Sequence, residues 1–322
     1  MRAIVYTKYG TTDVLKFEEV EKPVPKENEV RIQIHAASVN SWDWDLVRGK
    51  PFLARLGGLL KPKYKILGAD VAGRIEATGP KVTRFQPGDE VFGDISGCGW
   101  GGFAEYVCVH ENALSLKPDE MSFEEAAAIP QAAVLALQGL RLGELREGHK
   151  VLVNGAGGGV GTFAVQLAKC FGAEVTGVDQ AGKLEMLRAI GADHVMDYTK
   201  EDFTRGGQHF DLILDVAGYR SIFDCQRALS PNGTYVMIGG ATRRIFQALL
   251  TGPFIRRTMC KKIRLLIHKP NYMDQDVLKD LFKAGKIVPV IDRCYPLGET
   301  AEAIGYLGEG RAKGKVVIRM DE

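Results

Sequence analysis

The chain has 322 residues, 45% of them hydrophobic and 25% charged, with a formal net charge of +2. That balance describes a globular protein of one large or two ordinary domains and excludes a disordered or fibrous chain. No stretch approaches the roughly 18 consecutive apolar residues that a membrane-spanning helix needs.

In chain order, the opening MRAIVYTKYG has no uninterrupted apolar run, so no signal peptide is expected. The runs RAIVYT, EVRIQIHAASV, GRIEATG, GDEVFG and FAEYVCV alternate in polarity and are separated by Gly, Pro and Asn. They predict strands joined by turns, a β barrel or sandwich. At Ser122 the character changes: SFEEAAAIPQAAVLALQGLRLG opens with Ser and places acids in its first turn, as a helix does. KVLVNG, EVTGVD, HVMDY, FDLILDV and GTYVMIGG then alternate with helical stretches, which predicts a parallel, doubly wound sheet. After it, GKIVPVIDRCYPLGETAEAIGYLGEGRAKGKVVIRM returns to short strands around one helix. The fold class expected is therefore α/β: a β-rich domain at 1–124, completed by 271–322, and a nucleotide-binding domain at 125–270.

The segment NGAGGGVGTF, Asn154 to Phe163, lies between the strand KVLVNG and the amphipathic run TFAVQLAKCF. Ala156, Gly158 and Gly161 fit G-x-G-x-x-G with Ala in the first place, in the strand–turn–helix context that gives the pattern weight. Gly158, with Gly159 and Val160, would let the backbone approach a pyrophosphate, and Gly161 would let helix and strand pack closely. The helix N-terminus adds unpaired N–H groups and positive dipole. A P-loop is excluded, because no Lys precedes Thr162. The expected ligand is a dinucleotide. Asp179, 18 residues past Gly161, stands where an acid would bind a ribose 2′-hydroxyl and repel a 2′-phosphate. Lys183 could attract that phosphate, and Tyr198 could flank the adenosine, so NAD(H) and NADP(H) both stay open.

Together, NGAGGGVGTFAVQLAK, GADHVMDYT, GDEVFG and GFAEYV resemble the medium-chain dehydrogenase/reductase superfamily, nearest its zinc-independent quinone oxidoreductase branch. The resemblance covers essentially the whole chain. It implies a GroES-like catalytic domain, a Rossmann NAD(P)-binding domain and a substrate cleft between them. It further implies reduction of quinones or activated C=C bonds by NAD(P)H, usually in a homodimer. By the family pattern, Asn40 would hydrogen-bond near the nicotinamide ribose or the substrate carbonyl, and Asp43 would anchor that loop or act in the chemistry. Val216, Ala217 and Gly218, with Ile238, Gly239 and Gly240, would wall the nicotinamide. Lys315 would face the cofactor from the returning domain.

Zinc-dependent relatives carry a Cys, a His with a neighbouring acid, and a further ligand. Here Asn40 and Ala69 stand in the first two places, and IPQAAVLA supplies no third, so no zinc is expected. The structural-zinc loop is absent too, with Cys98 and Cys108 far from a four-cysteine pattern. Trp44 and Asp45 replace a Tyr that some quinone reductases carry. Trp42 and Trp44 could stack on a flat acceptor, although core packing is the commoner fate of Trp.

The six cysteines are scattered and read as free thiols, which suggests a reducing cytoplasm. From Arg243 to Lys269 there are eight Lys or Arg residues and no acid, leaving 34 of the 42 basic residues against all 40 acids elsewhere. Ile245, Phe246, Leu249 and Leu250 are read as one helical face, with a break at Gly252-Pro253. Segment 243–269 could rest on an anionic membrane surface. The preferred reading is a cleft-covering helix and a dimer-edge strand with solvated charges. No nucleic acid is expected, since no basic motif interleaved with aromatics occurs. The rival functions are an alcohol dehydrogenase of the same superfamily and a dinucleotide-binding regulator with little turnover.

Overall fold

The computed structural model describes residues 1–55 and 58–320. The chain forms two compact units: Met1–Val134 with Pro270–Gly285 and Pro289–Glu322, and Leu135–Lys269 with Lys286–Val288.

The first unit opens with β1 (Arg2–Val5), paired antiparallel with β2 (Lys16–Glu19). Next come β3 (Glu29–Val39), α1 (Ser41–Arg48), β4 (Asp70–Thr78), β5 (Glu90–Asp94), β6 (Tyr106–His110) and β7 (Leu114–Leu116). Strand β3 is the spine of this unit. Val30, Ile32 and Ile34 alternate inward with period two, after which Ala36–Val39 are buried on both faces. It pairs with β4 along one side, while β6 takes only Glu29–Gln33 of the other.

Helices α2 (Phe123–Ala128) and α3 (Pro130–Leu142) follow. Ser122 starts α2 as the sequence indicates: its hydroxyl accepts from the Glu125 N–H (3.2 Å) and its own N–H donates to the Glu125 carboxylate (2.9 Å). The two helices meet at Ile129, because Pro130 brings no N–H and crowds the residue before it. Ala126, Ala127 and Ala128 are fully buried within the first unit. The division between units accordingly falls at 134/135, later in the chain than the cut at 124/125.

The second unit contains β8 (Lys150–Asn154), α4 (Gly159–Cys170), β9 (Glu174–Asp179), α5 (Leu184–Ala189), β10 (His194–Asp197), β11 (Phe210–Asp215), α6 (Ile222–Cys225), β12 (Leu229–Met237), α7 (Thr242–Met259) and β13 (Lys262–Leu265). Its six strands are all parallel, in the order β10-β9-β8-β11-β12-β13. The chain winds outward in both directions from a switch point between β8 and β11, where open α/β sheets bind ligands at the strands' carboxyl ends.

Two expectations about α7 are corrected. The helix runs unbroken through Gly252 and Pro253. A proline inside a helix removes one backbone hydrogen bond, and the buried Ala248 and Ile255 on either side hold the helix to the sheet core. Ile245 also turns inward onto that core, whereas Phe246, Leu249 and Leu250 are exposed, so the four do not share one face.

The chain then forms α8 (Tyr272–Lys283), β14 (Ile291–Pro296), α9 (Thr300–Gly308) and β15 (Lys315–Arg319). The last strand enters the sheet of the first unit between β14 and β3. Residues 286–288 belong to the second unit because the Gln166 amide grips Val288 twice, donating to its carbonyl (3.0 Å) and accepting from its N–H (2.8 Å). Among the described residues, no helix is long and apolar enough to cross a membrane.

Candidate active site

In the second unit, the loop after β8 is shaped by close approach. A Cβ on Gly161 would lie 2.5 Å from the Ala156 carbonyl oxygen and closer still to that of Gly155, so no side chain fits. Gly158 differs. Its backbone is extended (φ −94°, ψ 177°), and the nearest protein atom to a Cβ there is 3.7 Å away. The protein itself would tolerate a side chain at Gly158, so the missing volume is available to a ligand. The Thr162 N–H closes the first helical turn on the Gly158 carbonyl (3.0 Å). By helix geometry the N–H groups of Gly159, Val160 and Gly161 lie ahead of that turn, the donors an anion would use.

Asp179, at the end of β9, is 6% exposed and already has partners. It accepts from the N–H groups of Gly157 (2.8 Å) and Gln180 (2.9 Å) and forms an ion pair with Lys183 (3.7 Å). The Lys183 stem packs against the loop, 2.5 Å from where a Gly157 Cβ would be. Tyr198 joins through its N–H on the Asp179 carbonyl (3.2 Å), and its side chain is 49% exposed. The glycine loop, Asp179, Lys183 and Tyr198 thus form one neighbourhood, in which the acid and the base neutralise each other.

A second group gathers at the ends of β8, β11 and β12. The Val216 and Ala217 N–H groups donate to the Asn154 carbonyl (3.0 and 3.3 Å), and Ile238 donates to that of Asp215 (2.9 Å). Gly218 (φ +59°) and Gly240 (φ +126°) adopt left-handed backbone, and a Cβ on Gly218 would sit 2.5 Å from the Gly240 Cα. A Cβ on Gly239 would meet the Val216 carbonyl at 2.9 Å. Sequence reasoning missed the anchor of this group, the fully buried Asp215. It accepts from Asn154 Nδ2 (2.8 Å), the Gly218 N–H (2.7 Å) and the Tyr235 hydroxyl (2.6 Å). Burial raises its carboxyl above the usual range, against the pull of these donors.

The first unit holds a buried charged cluster. Asp70 is wholly buried and accepts from four donors: the Ser38 hydroxyl (3.0 Å), Asn40 Nδ2 (2.9 Å), the Gln131 N–H (2.9 Å) and Lys315 Nζ (3.3 Å). Lys315, 2% exposed, also donates to Asn40 Oδ1 at 2.7 Å. Its ammonium is therefore turned into this cluster. Asp43 accepts from the Asn40 N–H (2.8 Å) and the Gly68 N–H (3.1 Å), an anchoring position at the start of α1. Burial pushes the Asp43 carboxyl up to about 7, while those hydrogen bonds and Lys315 oppose the rise. Asp70 is likewise raised by burial, with Lys315 pulling the other way. Sequence reading found Asn40, Asp43 and Lys315 but gave no role to Asp70, Ser38 or Gln131. Trp44 packs in the core, where Gly308 leaves space for its ring, and Trp42 is half-exposed.

The fit of zinc rests on its donors alone. A catalytic zinc needs three His, Cys or acidic ligands, and among the described residues no three such side chains gather. Asp70 instead faces an amide, a hydroxyl and an ammonium.

A GroES-like β unit with a Rossmann unit is the architecture of pyridine-nucleotide oxidoreductases. Residues 26–119 match the family model for the alcohol dehydrogenase GroES-like domain, and 190–318 match that for a zinc-binding dehydrogenase. Over 329 residues the chain is 36% identical to the 2-methylene-furan-3-one reductase of Solanum lycopersicum, covering 99% of this chain and 79% of that protein. It is 33% identical to the chloroplast envelope quinone oxidoreductase homolog of Arabidopsis thaliana, covering 99% and 98%. Among solved structures, the quinone oxidoreductase of Coxiella burnetii superposes with a TM-score of 0.88 at 28% identity, covering 100% and 99%. The chain belongs to the medium-chain dehydrogenase/reductase superfamily, among its quinone oxidoreductase-like members.

Proposed function

We propose that the protein is an NAD(P)H-dependent oxidoreductase that transfers hydride to a quinone or an α,β-unsaturated carbonyl without zinc. The observation that carries this reading is the Gly158 cradle at the switch point of a six-stranded parallel sheet, in a chain similar over nearly its whole length to quinone and methylene-furanone reductases. The cofactor supplies the hydride. The amides of Gly159, Val160 and Gly161 would hold the pyrophosphate, and the turns at Val216–Gly218 and Ile238–Gly240 would shape the nicotinamide end. By the family pattern, Asn40 would meet the cofactor ribose or the acceptor oxygen, and a proton from solvent would complete the reduced product.

The absence of a suited ligand set supports the metal-free reading. It also disfavours an alcohol dehydrogenase, because an alcohol must lose its hydroxyl proton as hydride departs. An electron-poor acceptor chiefly needs orientation and a donor to its developing oxyanion. The Asp179–Lys183 pair leaves neither charge unopposed, which supports use of both cofactors. Substituting Lys183→Gln should raise the KM for NADPH more than that for NADH. The scattered thiols support a cytoplasmic setting, and β13, with β12 as its paired strand, offers an edge for a homodimer.

The test follows loss of reduced-nicotinamide absorbance with NADH and NADPH separately, each with a small quinone and a simple enone. Turnover that survives a chelator, in protein with no stoichiometric zinc by elemental analysis, supports the proposal. Tight cofactor binding with no acceptor reduced would point instead to a regulatory dinucleotide-binding protein. Light scattering reads the dimer.

A further inference from the structure

The charged cluster of the first unit is built by sheet register. Ser38 pairs with Asp70 across β3 and β4, and Asp70 pairs with Asp94 across β4 and β5. On the other side of β3, Val39 pairs with Val316, so the next rung outward sets Asn40 opposite Lys315. The Lys315 backbone is pinned as well, its N–H donating to the Val290 carbonyl at 2.7 Å. Three adjacent strands thus deliver an amide, a carboxylate and an ammonium to one place.

That arrangement leaves the Asn40 amide a single orientation. Its Oδ1 accepts from the ammonium, and its Nδ2 donates to the carboxylate. Turning it over would set the NH2 against Lys315 and the carbonyl oxygen against Asp70, unfavourable on both sides. The ammonium at the oxygen polarises the amide along the Lys315–Asn40 chain, which favours donation by its N–H groups. The remaining capacity is specific: one N–H, which reaches the Ser38 carbonyl only at 3.5 Å, since Oδ1 also takes the Asp43 N–H in the capping box of α1. Of the Asn40, Asp70, Lys315 and Ser38 side chains, Asn40 belongs to the residue with most surface, 7% against 0–2% for the others.

We propose that Lys315 is a positioning residue for the reductase reaction: with Asp70 it locks the Asn40 amide, and by its own charge polarises it, so that the weakly held N–H is presented to the acceptor oxygen. The proposal rests on the oxidoreductase reading above. It differs from a purely structural role, in which Lys315 would only neutralise the buried Asp70.

The two roles separate in Lys315→Met/Asp70→Asn, which removes both charges together and frees the amide to turn. The positioning role predicts cooperative unfolding and a cofactor Kd within about twofold of wild type, with kcat for a simple enone lower by roughly 30-fold or more, toward the range for losing one oxyanion donor. A folded double variant with kcat within about twofold of wild type overturns the assignment and leaves the reductase reading intact. Failure of the wild type itself to reduce any acceptor overturns both. If the double variant does not fold, wild-type protein labelled with 15N-asparagine decides. The Asn40 side-chain protons, assigned by their loss in Asn40→Asp, should be resolved and slow to exchange with water. A rapidly exchanging, rotating amide overturns the proposal.

Discussion

The glycine-lined strand ends of the second unit and the charged cluster of the first are assembled from opposite materials. The strand ends are lined mainly by main chain, amides, carbonyls and glycines where a Cβ has no space or meets open volume, with Asp215 as the anchoring side chain. The charged cluster is made of side chains, with Asn40 and Lys315 separated by 275 positions. The Gly155–Gly161 turn is specified locally and leaves no space for a Cβ at Gly161. A side-chain site is specified by strand register and tolerates little change in charge.

The largest effect that would sharpen this contrast is at Gly161. Gly161→Ala forces a methyl into two carbonyl oxygens of the backbone, which cannot swing aside, and should cost at least about 3 kcal/mol. Thermal unfolding checks it, and a near-native melting temperature would mean that the loop is softer than its geometry. Next is Asp70→Ala, which strands the Lys315 ammonium in the interior. Breaking a buried pair from one side costs about 3–5 kcal/mol, and denaturant titration measures it.

The third effect is on pH dependence. Burial raises the Asp43 carboxyl to about 7 and that of Asp45 to about 6. Between an unfolded value near ~4 and those values, the folded state holds protons that the unfolded state has lost, so stability falls as pH rises. In the second unit the sign reverses for Asp193 and Asp202, held below the usual range by Lys169 and the Val175 N–H and by Thr204 and Arg220, respectively, against their desolvation. Their contribution appears as pH rises through the acid range and is complete above about pH 4–5. The melting temperature should therefore climb from pH 2.5 to a maximum near about pH 4–5 and decline toward pH 8. Asp43→Asn should flatten the declining limb, and a profile unchanged by it would remove Asp43 as a source.

The smallest stability effect is Gly158→Ala. Ordinary φ and open space predict a change within about 0.5 kcal/mol, yet calorimetric affinity for the cofactor should fall about tenfold, near 1.4 kcal/mol. Unchanged affinity would break the reading of this cradle.

What was legible in the sequence follows the same division. Strand–glycine–helix spacing locates the β8–α4 turn, because steric exclusion acts between residues a few positions apart. The positions of Asp179 and Lys183 are legible in the same way, although their pairing is not. Asp215 was overlooked because an acid ending a strand reads like an acid in a turn. The pointer was Asn154 ending the neighbouring buried strand. Asp70 in LGADVAG was passed over although it is flanked by small apolar residues, a setting in which a carboxylate needs partners. Those partners come from β3, α3 and β15, and only the ladder shows that they meet. The misread break at Gly252-Pro253 shows local propensity yielding to the burial of Ala248 and Ile255.

The route of the chain also sets an order of events during synthesis. The second unit needs no residue beyond Val288, where Gln166 holds the returning segment. The first unit lacks β15, an interior strand of its sheet and the bearer of Lys315, until residues 315–319 have left the ribosome. Until then β3 carries an open edge over Ala36–Val39, and Asp70 has no ammonium to face. Nascent chains stalled between the two points should resist protease across the nucleotide-binding sheet while β3 stays open to cleavage or to chaperones.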